Sequence, residues 1–231
     1  MDKWDFTDIH AHIIFGVDDG SDSLKTSLKL IEMEYKDGIR DIIATPHFGV
    51  RNMEYDPKLA EANFKILQDE VGKSYHDLKL YQGNEIFILP GFADGLSDGM
   101  SKTLNGTKYV LIEFPFEADF GLIYHEIRRI LVAGYIPILA HAERYINAYK
   151  NVKGLTELKN QGCLIQINSD TIADIKIKNG KTHGRFDKLI YELLTRDLVD
   201  FVATDIHALP GRQPRMSEAK ILPVFIWRDR I

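Results

Sequence analysis

Short runs of Ile, Val and Leu alternate along this chain with segments of helical period, and that alternation constrains its fold more than any other feature. Asp5–His10 is apolar at Phe6 and Ile9 and runs into a Gly- and Asp-rich turn at Gly16–Gly20, as a strand entering a loop does. Ser23 can cap the next segment, a helix in which Leu24, Leu28, Ile31 and Tyr35 share a face and Gly38 is the stop. The same grammar repeats. Asp41–Thr45 reads as a strand broken by Pro46, and Asp56-Pro57 opens a helix carrying Phe64, Leu67 and Val71. Leu78–Gln82, Tyr109–Phe114, Ile136–Ala140, Cys163–Asn168 and Val199–Thr204 bring the count to seven strands. Between them lie helices with Ile123, Ile127, Ile130 and Leu131, then Leu155 and Leu158, then Phe186, Leu189, Ile190, Leu193 and Leu194 on their apolar faces.

Parallel strands need crossover connections, usually helical, so this order predicts a parallel α/β sheet covered on its outer face. The expectation is a single domain over residues 1–231, its sheet closed or nearly closed into a barrel. A doubly wound open sheet stays an alternative, because periodicity does not distinguish the two.

Composition narrows the function. With 45% hydrophobic residues the chain can bury a substantial core, so disorder is excluded. The net charge is −5 and the basic residues are scattered, which speaks against nucleic acid as a partner. The amino terminus lacks a basic stretch followed by an apolar run, and the longest apolar segment, Leu131–Ala142, is interrupted by Gly134 and Pro137. Neither a secretory leader nor membrane insertion is expected. The single Cys163 suits a reducing compartment, so the expected location is cytoplasmic.

The chemistry lies in the residues that end each strand. His10 and His12 follow the first, His47 the second, Glu85 the third, Glu113 the fourth, His141 the fifth, and Asp205 with His207 the seventh. In parallel α/β barrels the site is built at the carboxyl ends of the strands, so these positions converge on one mouth. A strand-end His taken singly is more often hydrogen-bonded structure than a ligand. Eight such side chains would need eight separate partners for buried polar groups, whereas bound cations satisfy all of them together. His10 and His12, two apart on a strand, face the same way, and so do Asp205 and His207. Mixed imidazole and carboxylate donors suit Mn, Zn or Fe, and the donor count exceeds one ion's needs. Three divalent ions would bring about +6 against three carboxylates, an electropositive pocket suited to phosphate. Arg144 and Arg212 lie in mouth loops, where a guanidinium fork could grip phosphate oxygens; a solvated surface role is the alternative for each.

Other chemistries fare worse. A thiol phosphatase needs Arg six positions after its Cys, but Ser169 stands there relative to Cys163. Lys181-Thr182 after Gly180 lacks the earlier glycine of a phosphate-binding loop and reads as a turn into the last helix. His76, His125 and His183 fall on or beside helices and read as surface residues.

At these residues the chain resembles the polymerase-and-histidinol-phosphatase (PHP) superfamily of metal-dependent phosphoesterases. Thr7–Gly20 and Ala44–His47 look like its branch of bacterial protein-tyrosine phosphatases associated with capsular and exopolysaccharide synthesis. The likeness continues through Gly83–Glu85, Glu113–Pro115, Ala140–Arg144 and Ala203–His207. It implies a distorted seven-stranded TIM-like barrel, a three-ion manganese site held by the eight residues above, with Glu85 bridging two ions, and Arg144 and Arg212 on the phosphate. Asp18 lies in the matching loop, either on a metal or orienting a histidine. The implied reaction is hydrolysis of phosphotyrosine, on the tail of a bacterial tyrosine kinase, by water activated at the ions. A small-molecule phosphatase acting on an ester such as histidinol phosphate would use the same cluster. A zinc amidohydrolase would want a His where Asn168 stands, and a non-catalytic kinase-binding regulator would be expected to have lost ligands. The chain departs from the family after Lys220, where Pro223 argues against the usual helical tail.

Overall fold

Ser23 caps the first helix as its sequence suggests: its hydroxyl accepts the amide hydrogen of Thr26 at 3.3 Å. Gly38, at φ 99°, closes the other end in the left-handed conformation that glycine adopts without strain. In the computed structural model, which describes residues 5–51, 53–90, 96, 99–145, 152–175, 177–178, 181–182, 184–208 and 212–219, this helix, α1 (Leu24–Asp37), links β1 (Phe6–Ala11) to β2 (Ile39–Ala44). Next come β3 (His47–Phe48), α2 (Pro57–Gly72), β4 (Lys79–Gln82), β5 (Glu85–Phe87) and β6 (Tyr109–Glu113). The chain continues through α3 (Phe120–Val132), β7 (Ile136–Leu139), α4 (Lys153–Gln161), β8 (Leu164–Asn168) and α5 (Ser169–Ala173). It ends with β9 (Ile177–Lys178), β10 (Lys181–Thr182), α6 (Arg185–Thr195), β11 (Phe201–Ala203) and α7 (Met216–Ala219).

The strands form an α/β fold with a curled parallel sheet. One ladder runs β1-β2-β4 and a longer one runs β11-β8-β7-β6-β5-β3, all pairs parallel. An isolated parallel bridge between Ala11 and Ile206 joins β1 to the segment that follows β11. Two of the strands expected from sequence are each followed, past a break, by a further short strand that was not expected. Pro46, which has no amide hydrogen to offer a ladder, separates β2 from β3. The Gly83-Asn84 step separates β4 from β5, and a Cβ at Gly83 would stand 2.7 Å from the buried Leu104 Cδ2, so a larger residue there would have to displace that side chain. Backbone bonds span the breaks: Gly83 donates to the Ala44 oxygen at 2.8 Å and Glu85 to the Pro46 oxygen at 3.2 Å.

Lys181-Thr182 is not the turn its sequence suggests. It is the second strand of an antiparallel ribbon with Ile177-Lys178, whose few residues give too short an alternation to stand out from a loop.

The core has two parts. Between the helices and the outer face of the sheet lie Leu30, Ile31, Leu67, Ile123, Ile127, Leu155 and Ile190 with Ile42, Val110, Ile112 and Ile165. On the opposite face of the strands Ile9, Ile43, Leu111, Ile138, Ala140 and Ala203 pack around Leu104. Alternation on the strands continues this inner stripe toward the carboxyl ends, so Leu111 leads to Glu113 and Ala203 to Asp205. Periodicity thus delivers polar side chains to one end of the sheet. His76 and His125 are exposed, as their positions suggest, while His183 and the tail after Ala219 lie outside the described residues. Among the described residues no helix is long and apolar enough to cross a membrane.

Candidate metal centre

The eight side chains singled out at the strand ends come together. The Nε2 atoms of His10 and His12 are 3.2 Å apart. Glu85 Oε2 lies 3.2 Å from each of them and 3.0 Å from His47 Nδ1. Its other oxygen is 2.8 Å from His141 Nε2. Glu113 approaches His47 Nδ1 at 3.1 Å and His141 Nε2 at 3.6 Å. Asp205 Oδ1 lies 3.4 Å from His10 Nε2 and 3.3 Å from His207 Nδ1. The His207 ring stacks on that of His12 with centroids 3.9 Å apart.

This arrangement fits metal ions better than it fits itself. Glu85 Oε2 and His47 Nδ1 are both buried and neither makes a hydrogen bond, although they are close to several polar atoms. Their lone pairs converge instead of pairing. Two ligands about 2.1 Å from one ion and separated by a right or tetrahedral angle stand about 3.0–3.4 Å apart, which matches the spacing of these donors. Among the described residues, three groups bring donor atoms close enough to hold an ion: His10, His12 and Asp205; His47, Glu85 and Glu113; and His12, Asp19, His47 and His207.

Supporting bonds orient the imidazoles. His12 Nδ1 donates to Asp18 Oδ2 at 2.8 Å, and the same oxygen accepts the His47 amide at 3.1 Å. In this geometry Asp18 bonds the His12 ring nitrogen that faces away from Glu85 and Asp205. Gly20 lets its loop fold onto His12, because a Cβ there would collide with the His12 backbone. His10 Nδ1 points to Gln166 Oε1 at 3.2 Å, which also accepts the His141 amide at 2.8 Å. Gln166 donates to Asn168 at 2.9 Å, and Asn168 to Asp205 Oδ2 at 3.0 Å. Such partners fix both ring orientation and tautomer.

Electrostatics follow from crowding. Burial works against a charge on His47, but the Glu113 and Glu85 carboxylates overcome it and raise the imidazole to about 11. Burial likewise opposes ionisation of Asp18, yet His12 beside it and the amides it accepts bring it down to about 2. His207 goes the other way, lowered to about 3 by burial and by the neighbouring His12. His141 (φ 33°) and Asp205 (φ 52°) both sit in the left-handed region. Residues other than glycine occupy it at a cost of order 1–3 kcal/mol, and such strain concentrates at functional sites.

Arg144 and Arg212 meet at one carboxylate. Arg144 Nη2 donates to Asp205 Oδ2 at 2.8 Å, and Arg212 Nη1 bonds the same oxygen and the Asp205 carbonyl. Neither is a free surface arginine. Asp19, 61% exposed, was not singled out from sequence; it lies 3.5 Å from His47 Nε2 and 3.7 Å from His207 Nε2. Its adjacency to Asp18 in the Gly-rich loop was the available signal. Gln166 and Asn168, two apart on β8, share the face of the metal-type residues, but their partners His10 and Asp205 come from distant parts of the chain.

Comparison with known proteins gives this geometry a context. Tyrosine-protein phosphatase CpsB of Streptococcus agalactiae serotype V is 39% identical over 213 residues, covering 92% of this chain and 87% of the relative. Tyrosine-protein phosphatase YwqE of Bacillus subtilis is 32% identical over 212 residues, covering 92% of this chain and 81% of the relative. A solved structure from work on Bacillus subtilis YwqE and Streptococcus pneumoniae CpsB, described as unique metal-dependent tyrosine phosphatases, superposes with a TM-score of 0.81. It is 31% identical, with 93% of this chain and 84% of that chain covered. The sequence profile described as capsular polysaccharide synthesis, CpsB/CapC, matches residues 6–222. On this sequence match and these relatives, the chain belongs to the CpsB/CapC family.

Proposed function

We propose that this chain is a metal-dependent protein-tyrosine phosphatase, built as one phosphoesterase domain over residues 1–231. The observation that carries the reading is the convergence of eight imidazole and carboxylate side chains beside two arginines seated on Asp205. The relatives' tyrosine-phosphatase activity supports the choice of substrate.

In this reading His10, His12, His47, Glu85, Glu113, His141, Asp205 and His207 hold the ions, with Asp19 an added candidate. Donor groups that share His12 and His47 are in keeping with several neighbouring ions, three and manganese by family likeness, and zinc or iron suits the same donors. Divalent ions, when bound, supply the Lewis acidity that activates water and draws charge from phosphoryl oxygens. The chain's own residues do the remaining work. Asp18 and Gln166 hold His12 and His10 in position. Arg144 and Arg212 present forked donors to the phosphate, exchanging contacts with Asp205 for contacts with its oxygens. A phenol leaves with a pKa near 10, below that of an alkyl alcohol, so protonating the departing oxygen is less demanding.

The curled sheet is, on this proposal, a distorted seven-stranded barrel. Counting β2 with β3 and β4 with β5 leaves seven staves, and the bridge between Ala11 and Ile206 supports closure. The substrate we assign is the tail of a bacterial tyrosine kinase of capsular or exopolysaccharide synthesis, in keeping with the family's description, and the setting is cytoplasmic.

The test is phosphate release from a phosphotyrosyl peptide and from histidinol phosphate in parallel, with added manganese and again after chelation. Chelator-sensitive release favouring the peptide is expected. Preference for histidinol phosphate would keep the site and change the substrate, and no release from either would point to a different ester or to a kinase-binding regulator.

A further inference from the structure

We infer that Phe116 is the contact that recognises the substrate's phenyl ring and makes the site selective for aryl over alkyl phosphate monoesters, an inference that rests on the phosphatase reading above. Phe116 is 56% exposed, three residues beyond Glu113 in the loop that leaves the mouth end of β6. Single exposed apolar side chains are common and ordinarily carry no meaning. This one is held in place by buried structure. The Phe114 side chain is buried, its amide donates to the Tyr145 hydroxyl at 2.8 Å, and that hydroxyl donates to the Phe114 carbonyl at 2.9 Å. Tyr145 also ends the 3-10 turn Ala142–Tyr145 that carries Arg144. One buried hydroxyl therefore ties the loop bearing Phe116 to the turn bearing the arginine, and Pro115 restricts the backbone between.

The outcome is a defined juxtaposition: the Arg144 guanidinium carbon lies 5.8 Å from the centroid of the Phe116 ring. The backbone before this loop is also tied down, the Ile88 amide donating to the Glu113 carbonyl at 2.8 Å. In an aryl ester only one oxygen separates the phosphorus from the ring. A phosphate gripped by Arg144 thus carries its phenyl group into the neighbourhood of Phe116, and aromatic pairs favour centroids about 4.5–7 Å apart. An alkyl ester brings no ring to that place.

The experiment compares kcat/KM for a phosphotyrosyl peptide and for glycerol phosphate in the manganese-loaded wild type, Phe116→Ala, Phe116→Leu and Phe116→Tyr. Binding of phenylphosphonate and of inorganic phosphate is measured on the same proteins by calorimetry. Phe116→Ala should lower the aryl-to-alkyl ratio about five- to twenty-fold, mainly through KM, and weaken phenylphosphonate relative to phosphate by a similar factor. Phe116→Tyr should restore both ratios and Phe116→Leu should not. Unchanged ratios in Phe116→Ala, or full rescue by leucine, would overturn the inference while leaving the phosphatase reading intact. A wild type that releases phosphate from neither ester would defeat that reading instead, and the phenylphosphonate comparison would still decide whether Phe116 senses an aromatic ring.

Discussion

His12 Nδ1 is bonded to Asp18 Oδ2 at 2.8 Å, which leaves Nε2 as the ring nitrogen that faces Glu85 and Asp205. Asp18→Asn should loosen that orientation and weaken metal binding about 10- to 100-fold, the range typical of such supporting partners. Competition with a chromophoric chelator measures it. Affinity equal to that of the wild type would remove Asp18 from the metal centre.

Asp205 serves two roles, reaching His10 with one oxygen and both arginines with the other. Asp205→Ala should therefore abolish turnover, and His141→Ala, which loses the group 2.8 Å from Glu85, should do the same. Far-ultraviolet circular dichroism should stay nearly unchanged in each. Retained turnover in both variants would refute the ligand assignment.

A proton must leave before an ion can settle at His47. Glu113 and Glu85 outweigh burial and raise that imidazole to about 11, so at neutral pH the metal-free site holds the proton. Ion uptake should release at least one proton, and apparent affinity should rise with pH. Calorimetry in buffers of different ionisation enthalpy reads the number directly, and a value of zero would contradict a protonated His47 in the metal-free site.

Beneath the site, buried Glu34 shares a network with Asp8 and Thr204, whose hydroxyl lies 3.1 Å from Glu34 Oε1. Burial first, and then the charge of Asp8, push the Glu34 carboxyl well above its ordinary 4.5. A raised folded-state value favours the fold below the unfolded value, and this support is lost as pH rises toward the folded one. Glu34→Gln, which cannot ionise, should melt close to the wild type near pH 4.5 and several degrees higher at pH 8, at about 2–4 °C per kcal/mol. Parallel melting curves across that range would show that Glu34 does not hold the proton.

Tyr145→Phe removes one hydroxyl and leaves the amide and carbonyl of Phe114 without their partner. A buried polar group so stranded costs about 1–3 kcal/mol. Urea unfolding should show a loss of that size with the slope unchanged, and a loss under about 0.5 kcal/mol would mean that water takes the hydroxyl's place.

Much of this site was legible because strand period and strand ends both leave marks in sequence. His10, His12, Asp205 and His207 announce themselves by a spacing of two, and the hydrophobic runs before them set the end of the sheet to which they go. The helices were readable from Ser23, Asp56 and Gly38, whose cap geometry is local. What escaped is what depends on partners distant in sequence. Gln166 looks like any polar strand residue until His10, 156 positions earlier, is found beside it. Asp19 differs from Asp18 only in which way the loop turns it. The breaks before β3 and β5 were half visible, in Pro46 but not in Gly83, whose close approach to Leu104 depends on a residue from elsewhere in the chain.

Those breaks mount one pair of ligand-bearing segments apart from the strands that lead to them. His47 and Glu85 stand on short segments that pair with each other above the breaks, while β2 and β4 pair below them. A change in the loops at the mouth can then re-aim an imidazole or a carboxylate without altering the register of the strands underneath. Substrate range can drift in such an architecture while the foundation that keeps it folded stays put.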